Sequence, residues 1–311
     1  MLQKQATRDA YGLALVELGH LHEDIVVLDA DLSKSTKTAD FAKVFPGRFI
    51  NAGIAEQNMM GMAAGLAASG KKVFASTFAI FATGRAFEQV RNSLAYAGMN
   101  VKVCATHAGI TVGEDGGSHQ SVEDIALMRS IPGMLVVVPS DGVITRQALI
   151  SLYEYEGPAY LRLGRPAVPV IYDEGTSFEI GRGIKLRGGQ DVAIIACGIM
   201  VHKSLEAAAI LAGQGIEASV IDMHTIKPLD REMVLAAARE TGAILTVEEH
   251  SIIGGLGSAV CELVSEFQPV PVKRMGLEDT FGQSGSPDEL MNYYGLTVEK
   301  IVDNIHMLIH K

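Results

Sequence analysis

Residues 72–106 read KVFASTFAIFATGRAFEQVRNSLAYAGMNVKVCAT, and this stretch decides the fold. Lys72–Ser76 and Val101–Thr106 are short runs rich in Val and Ala, the pattern of buried strands. Between them, Gly84–Ala97 has helical period and stops at Gly98, where a left-handed residue ends a helix at little cost. A strand, a helix and a second strand in this order predict parallel pairing through a right-handed crossover. The same alternation extends outward. Ile25–Asp29 (IVVLD) and Leu135–Pro139 (LVVVP) are predicted strands, and Ala55–Ser69, closed by Gly70, is a predicted helix. Asp141–Tyr155, ending before Gly157, is another, with Asp141 placed to accept from the unpaired amides of its own first turn.

The pattern lapses from Arg165 to Gln190, where Pro166, Pro169, Gly175, Gly181, Gly183, Gly188 and Gly189 crowd together. This stretch reads as a linker with room for one hairpin. A second series follows, with strands at Asp191–Cys197, Ala218–Asp222 and Ala243–Glu248. Its helices fall at Met200–Ala212, Asp230–Thr241, Gly257–Phe267 and Thr297–His310. The 311 residues suit two domains of the usual ~100–200 residues each. The expectation is an α/β protein of two successive, open, mostly parallel sheets. Its boundaries are 1–166 for the first domain, 167–189 for the linker and 190–311 for the smaller second domain.

Composition narrows the function. Hydrophobic content of 48% and charged content of 20% fit a folded domain rather than a disordered chain. A net charge of −10, without a long Lys/Arg run, lacks the basic footprint that nucleic-acid binding needs. The apolar stretch Met59–Ala68 is broken by Gly61 and Gly65 and is half the ~20 residues of a membrane span. The first residues, MLQKQATRDA, lack a signal-peptide core. Cys104, Cys197 and Cys261 are odd in number and far apart, which suits buried thiols in a reducing compartment better than disulfides or zinc. These features predict a cytoplasmic protein.

Chemistry concentrates at residues 106–120, THAGITVGEDGGSHQ, directly after a buried strand. Ligands in open parallel sheets bind beyond the carboxyl ends of strands. His107, Glu114, Asp115 and His119 there can exchange protons near neutral pH. A solvated, glycine-rich surface loop would look the same. Adjacent carboxylates and histidines twelve residues apart match no familiar metal-ligand spacing. Glu56 opens an otherwise apolar helix, where an apolar setting can raise a carboxyl's pKa and suit it to proton transfer. The helix macrodipole alone would also favour an acid at that position. Phe78 and Phe81 could offer faces to a planar ring, although plain core packing accounts for the spacing too. Gly254–Ser258 (GGLGS) lacks the full dinucleotide fingerprint and reads as a tight turn into a helix.

Taken together, GIAEQ around Glu56, the STF-x-x-F run, THAG-x-x-VGEDG-x-SHQ and Ala30-Asp31-Leu32 resemble the carboxyl-terminal half of transketolase, over essentially the whole chain. The resemblance implies a pyrimidine-binding domain followed by the transketolase C-terminal domain, with thiamine diphosphate and magnesium as cofactors. It implies transfer of a two-carbon ketol unit between sugar phosphates. By this resemblance Glu56 hydrogen-bonds the cofactor's aminopyrimidine and promotes its imino form, while Phe81 stacks on that ring with Phe78 beside it. Asp31 and Leu32 also belong to the cofactor site. His119 and Asp115 hold substrate hydroxyls and the developing alkoxide, and His107 is shared between hydroxyl and phosphate. Arg8 in ATRDA, Ser35 in ADLSKS and Arg165 in LGRP match the family's phosphate grip, for which guanidinium groups are well shaped.

The chain also departs from the family. Gly84 stands where a third pocket aromatic is usual, and Ala108-Gly109 where many transketolases carry Asp-Ser. The diphosphate-and-magnesium domain, with its Gly-Asp-Gly start, has no counterpart in this sequence. The resemblance therefore implies the second subunit of a split transketolase, active with an N-terminal diphosphate-binding partner that carries the metal ligands, two copies of each chain. The face of the first sheet bearing Met59, Met60 and Met62 is the expected contact. Alternatives are the beta subunit of a 2-oxo acid dehydrogenase, a deoxyxylulose-phosphate synthase-like enzyme, or a non-catalytic regulatory subunit of the same fold. Retention of Glu56, His107, Asp115 and His119 together argues against the last.

Overall fold

The computed structural model describes residues 3–309. Its larger sheet has seven strands in the spatial order Thr225–Lys227, Leu135–Val137, Ala159–Arg162, Val101–Thr106, Lys72–Phe78, Ile25–Asp29 and Phe49–Asn51. All neighbours pair in parallel except Thr225–Lys227, which runs antiparallel to Leu135–Val137. Ile25–Asp29 and Val101–Thr106 are buried along their whole length, because helices cover both faces. Side-chain alternation divides each strand between two cores. Ile25, Val27, Phe74 and Cys104 face Tyr11 and Leu15 of helix Thr7–Leu21 and Ile144 and Leu149 of helix Gly142–Glu154. Val26, Leu28, Val73, Ala75 and Val103 face Met59 and Met60 of helix Glu56–Ala68, with Val90 and Leu94.

Asp141 caps its helix as expected, its carboxylate accepting from Ile144 N at 2.9 Å. The helix expected over Gly84–Ala97 differs. Phe81–Arg85 and Val90–Tyr96 are π-helical, joined by an α-turn at Phe87–Gln89. Such i→i+5 turns are uncommon and gather at functional sites. Met59 and Met60 are fully buried within this chain and Met62 is half-buried. The expected contact face is corrected accordingly: the two leading methionines pack the chain's own core and are not available to a partner.

The second sheet has the order Val272–Leu277, Ile244–Ser251, Val192–Ala196, Ala218–Asp222 and Ile184–Arg187, the last antiparallel. The proline- and glycine-rich stretch forms no hairpin of its own. Ala167–Pro169 pairs with Lys4–Ala6, and Ile184–Arg187 joins the second sheet. The closing helix spans Val298–Ile309; His310, its expected end, lies outside the described residues. No helix among the described residues is long and apolar enough to cross a membrane.

Candidate active site

Three adjacent parallel strands, Ile25–Asp29, Lys72–Phe78 and Val101–Thr106, end side by side. After the first of them the chain moves outward to Phe49–Asn51, and after the second it moves to the other side, to Val101–Thr106. The crevice beyond these ends is where a ligand belongs. Asp31 and Leu32 follow the first strand, Phe78 and Phe81 the second, and His107 the third. Asp31 and His107 are held at φ 65° and 56°, a backbone region that costs a non-glycine residue free energy and is retained mainly at functional sites. Buried Asp29 fixes the first loop: its carboxylate accepts from Leu32 N at 2.6 Å and from the hydroxyls of Thr36 and Thr38. Asn51 Nδ2 donates to Asp31 at 2.9 Å.

Glu56 is 1% exposed, at the first turn of its helix. Its partner is Arg85, whose Nη1 lies 2.8 Å from Glu56 Oε2. The same guanidinium stacks over the Phe81 ring at 4.4 Å. Neighbouring rings form a layered wall, with Phe78 parallel to Phe81 at 6.0 Å, His107 stacked on Phe78 at 3.9 Å and His119 edge-on to Phe81 at 5.5 Å. A flat, nitrogen-rich group thus engages the Glu56 carboxylate and the Phe81 face together. This is the pairing an aminopyrimidine requires, so these residues fit that end of thiamine diphosphate. Arg85 belongs to none of the motifs that mark the site in the sequence; it enters through the π-turn that ends at it.

A second cluster surrounds His107. Arg8 Nη1 approaches His107 Nε2 at 3.1 Å and donates to Ser35 O at 3.1 Å. A guanidinium only donates, so Nε2 carries the lone pair and Nδ1 the proton, given to Thr106 Oγ1 at 2.8 Å. Burial lowers His107 to about 3, and the positive charges of Arg8 and Arg165 add to the effect. His107 is therefore a neutral acceptor throughout the physiological range. Arg165 lies 3.2 Å from Glu114 and 3.9 Å from Asp115, and donates to Val112 O. Buried Arg8 Nε has no hydrogen-bond partner among the described residues, a donor left over in a cationic corner. Arg8, Ser35, His107, Asp115 and Arg165 thus converge, and His119, bonded through Nδ1 to Ser118 Oγ at 3.0 Å, lies beside them.

The loop 107–120 is not a solvated surface loop. Its glycines are pressed against the second domain: a Cβ on Gly109 (φ 79°) would lie 2.3 Å from the Glu249 carboxyl, and one on Gly117 would lie 2.5 Å from Gly282 O. That closeness accounts for a glycine at position 109. Gln120 points inward and its Nε2 donates to Ile110, Gly113 and Gln283 carbonyls at 2.9–3.2 Å. The GGLGS turn leads into helix Leu256–Phe267, whose first amides donate to Glu248 at 2.7 and 2.8 Å. A carboxylate of the chain itself fills the place a bound phosphate would take. Among the described residues, no group of three or more His, Cys, Asp or Glu could hold a metal ion.

Comparison with known proteins bears on this geometry. Residues 3–170 match the transketolase pyrimidine-binding domain and residues 181–301 the transketolase C-terminal domain. A putative transketolase C-terminal section of Methanocaldococcus jannaschii is 53% identical, over 96% of this chain and 94% of that protein. A 6-deoxy-6-sulfo-D-fructose transketolase subunit of a Clostridium strain is 46% identical, over 98% of this chain and 95% of that one. The inactive beta4 tetramer of a split-gene transketolase superposes with a TM-score of 0.92 at 56% identity, covering 98% of both chains. This chain belongs to the transketolase family, as a transketolase-type transferase subunit of an enzyme that uses thiamine diphosphate and a divalent metal.

Proposed function

We propose that this chain, joined to an N-terminal diphosphate-binding subunit in two copies of each, transfers a two-carbon ketol unit between sugar phosphates. The observation that carries the reading is the corner formed by Arg8, Arg165 and neutral His107, where one buried guanidinium N–H is unpartnered among the described residues. Two guanidinium groups beside a neutral acceptor suit a substrate with a terminal phosphate and a nearby hydroxyl. Thiamine diphosphate, when bound, supplies the carbon nucleophile that accepts and passes on the ketol unit. This chain's residues bind and hold protons. Glu56 hydrogen-bonds the pyrimidine ring through its carboxyl, Phe81 and Phe78 support the ring's face, and Asp31 and Leu32 close the site near it. Arg85 gives up its place on Glu56 and Phe81 when the ring enters. His107 Nε2 accepts from a substrate hydroxyl, His119 and Asp115 hold the others, and Arg8, Ser35 and Arg165 hold the phosphate. The metal and diphosphate ligands belong to the partner. The inactivity of the split-gene beta4 tetramer supports this division of labour.

The test is to mix the purified chain with its partner and follow ketol transfer from a ketose phosphate. The chain alone should be inactive and bind thiamine diphosphate weakly in calorimetry, since a ring stack and one hydrogen bond barely offset the cost of association. In the assembled enzyme Glu56→Gln should lower turnover by about 10²–10⁴, the usual contribution of an acid–base group. Ketol transfer by the lone chain, or a fully active Glu56→Gln complex, would overturn the reading. The Clostridium relative favours a second substrate class, a sulfonated ketose, whose anionic group suits the same arginines. A parallel assay with that donor decides between them.

A further inference from the structure

Glu249 lies in strand Ile244–Ser251 of the second domain, yet its side chain ends in the first. Its Oε1 accepts from Thr111 N at 2.7 Å, four residues beyond His107. Gly109, between them, is pressed so closely on this carboxylate that no side chain fits there. Glu249 is 5% exposed, so the contact is shielded from water and from salt screening. The backbone of the same residue is fixed as well. Arg162 Nη2 donates to Glu249 O at 2.9 Å while its guanidinium grips Asp124 through bonds of 2.7 and 3.1 Å. Arg162 and Asp124 both belong to the first domain, so the backbone that carries the carboxylate is braced by the domain the side chain reaches into.

We infer that Glu249 is a positioning residue, through which the C-terminal domain holds the His107–Val112 loop in its strained, substrate-ready conformation. The inference rests on the transketolase reading for what the loop does, and on geometry alone for the anchoring. The loop needs such an anchor. His107 adopts φ 56° and Gly109 φ 79°, and a backbone held in those regions persists only where its surroundings over-determine it. A charge-assisted bond to a buried amide is among the stronger single restraints available.

The anchor responds to pH. Burial pushes the Glu249 carboxyl up to about 7, against the opposing pull of Arg162 and the Thr111 amide, while Asp124 adds to the rise. Charged groups of the first domain near this carboxyl are Arg162 of strand Ala159–Arg162 and Asp124 of helix Asp124–Ser130. Its strand neighbours Glu248 and His250 are engaged elsewhere, at Leu256–Gly257 and at Ser251 O and Ala126 N. Protonation below about pH 7 replaces a carboxylate acceptor with a neutral one, so the anchor weakens on the acid side.

Two variants test the inference. Glu249→Gln keeps an acceptor for Thr111 N and removes the charge; Glu249→Ala removes both. In the full chain without its partner, amide hydrogen exchange at residues 109–112 should rise about ten- to a hundredfold in Glu249→Ala, with strand Val101–Thr106 unchanged. In the assembled enzyme, Glu249→Ala should lower kcat and raise KM for the sugar substrate at unchanged thiamine diphosphate affinity. Glu249→Gln, a neutral acceptor like the protonated carboxyl, should hold turnover at the wild-type level of the acid side, above that of Glu249→Ala, and lose the acid limb near pH 7. Unchanged loop exchange, an increase spread over the whole chain, full activity of the alanine variant, or an acid limb kept by Glu249→Gln would each overturn it. Exchange requires no turnover, so its outcome stands or falls separately from the assignment of the reaction.

Discussion

His107 owes its usefulness to being prevented from titrating. A free imidazole changes charge near pH 6.5; here burial, helped by Arg8 and Arg165, lowers that to about 3. Its ring signals in NMR should therefore be flat between about pH 5 and 8, with the proton on Nδ1. A titration step in that interval would contradict the site described. The same two arginines carry a binding prediction. Arg8 and Arg165 are both half-buried, so their interaction with an anion is partly screened. Arg8→Ala or Arg165→Ala should weaken phosphorylated sugars about ten- to a hundredfold, the range for losing a charge-assisted bond. An unphosphorylated donor should suffer much less. Equal losses for both donors would show that the arginines serve another purpose.

Among the elements, the loop after Val101–Thr106 is the most demanding. Gly109→Ala would place a methyl at φ 79° and 2.3 Å from the Glu249 carboxyl. The backbone conformation alone costs about 1–2 kcal/mol, and the overlap adds to it by displacing the anchor. The variant should melt at lower temperature and lose turnover, whereas Gly133→Ala, at φ 74° with open space around it, should show the backbone cost without loss of turnover. Similar activity in both variants would remove the special role of position 109. Much of this architecture is legible in the sequence, because a strand covered on both faces is mostly apolar, as in Ile25–Asp29 up to its last residue and in Val101–Thr106 apart from Lys102 and Thr106. The helix Gly84–Ala97 is legible as a helix but not as a π-helix, since its apolar spacing does not distinguish the wider turn. Strands Ala159–Arg162 and Val272–Leu277 do not stand out in the sequence, because the first is only four residues ending in Arg162 and the second is interrupted by adjacent Lys273 and Arg274. Arg162 is buried only because Asp124, from a distant segment, neutralises it. Although burial raises a carboxyl, that pairing leaves Asp124 below its usual value. Site residues within contiguous motifs are identifiable; Arg85 and Glu249 are not, because each acts through a contact that only folding creates. The one local trace of Glu249 is the glycine at 109.

At the scale of the molecule, the two sheets are joined by shared parts rather than by a tether alone. Strand Thr225–Lys227 leaves the second domain to complete the edge of the first sheet, and Lys227 Nζ donates to Arg129 and Ile131 carbonyls at 2.9 and 2.6 Å. Asp222, the last residue of strand Ala218–Asp222, accepts at Oδ2 from Ser140 of the first domain at 2.6 Å and from Tyr172 of the connecting stretch at 2.8 Å. Its Oδ1 is buried without a partner among the described residues. Burial raises this carboxyl to about 7; the two hydrogen bonds oppose the rise and Asp141 adds to it. A carboxyl with a raised folded pKa binds protons more tightly in the native state, so its stabilising contribution is complete below the unfolded value and is lost as pH rises through about 7. Between about pH 5 and 8 that loss is roughly 2–3 kcal/mol, since each tenfold difference in proton affinity between the folded and unfolded chain is worth about 1.36 kcal/mol. Glu249 drifts in the same sense, whereas His107, His202 and His224, held neutral by burial at about 3, 4 and 4, cost stability as pH falls below the unfolded histidine value. The wild-type profile is therefore a sum of opposing slopes, and only a difference isolates the junction. Asp222→Asn cannot ionise, so its stability relative to wild type should improve by about 2–3 kcal/mol from pH 5 to pH 8 in denaturant unfolding. Parallel curves for the two proteins across that interval would mean that Asp222 is already ionised in the native state and that the junction is held by its charge.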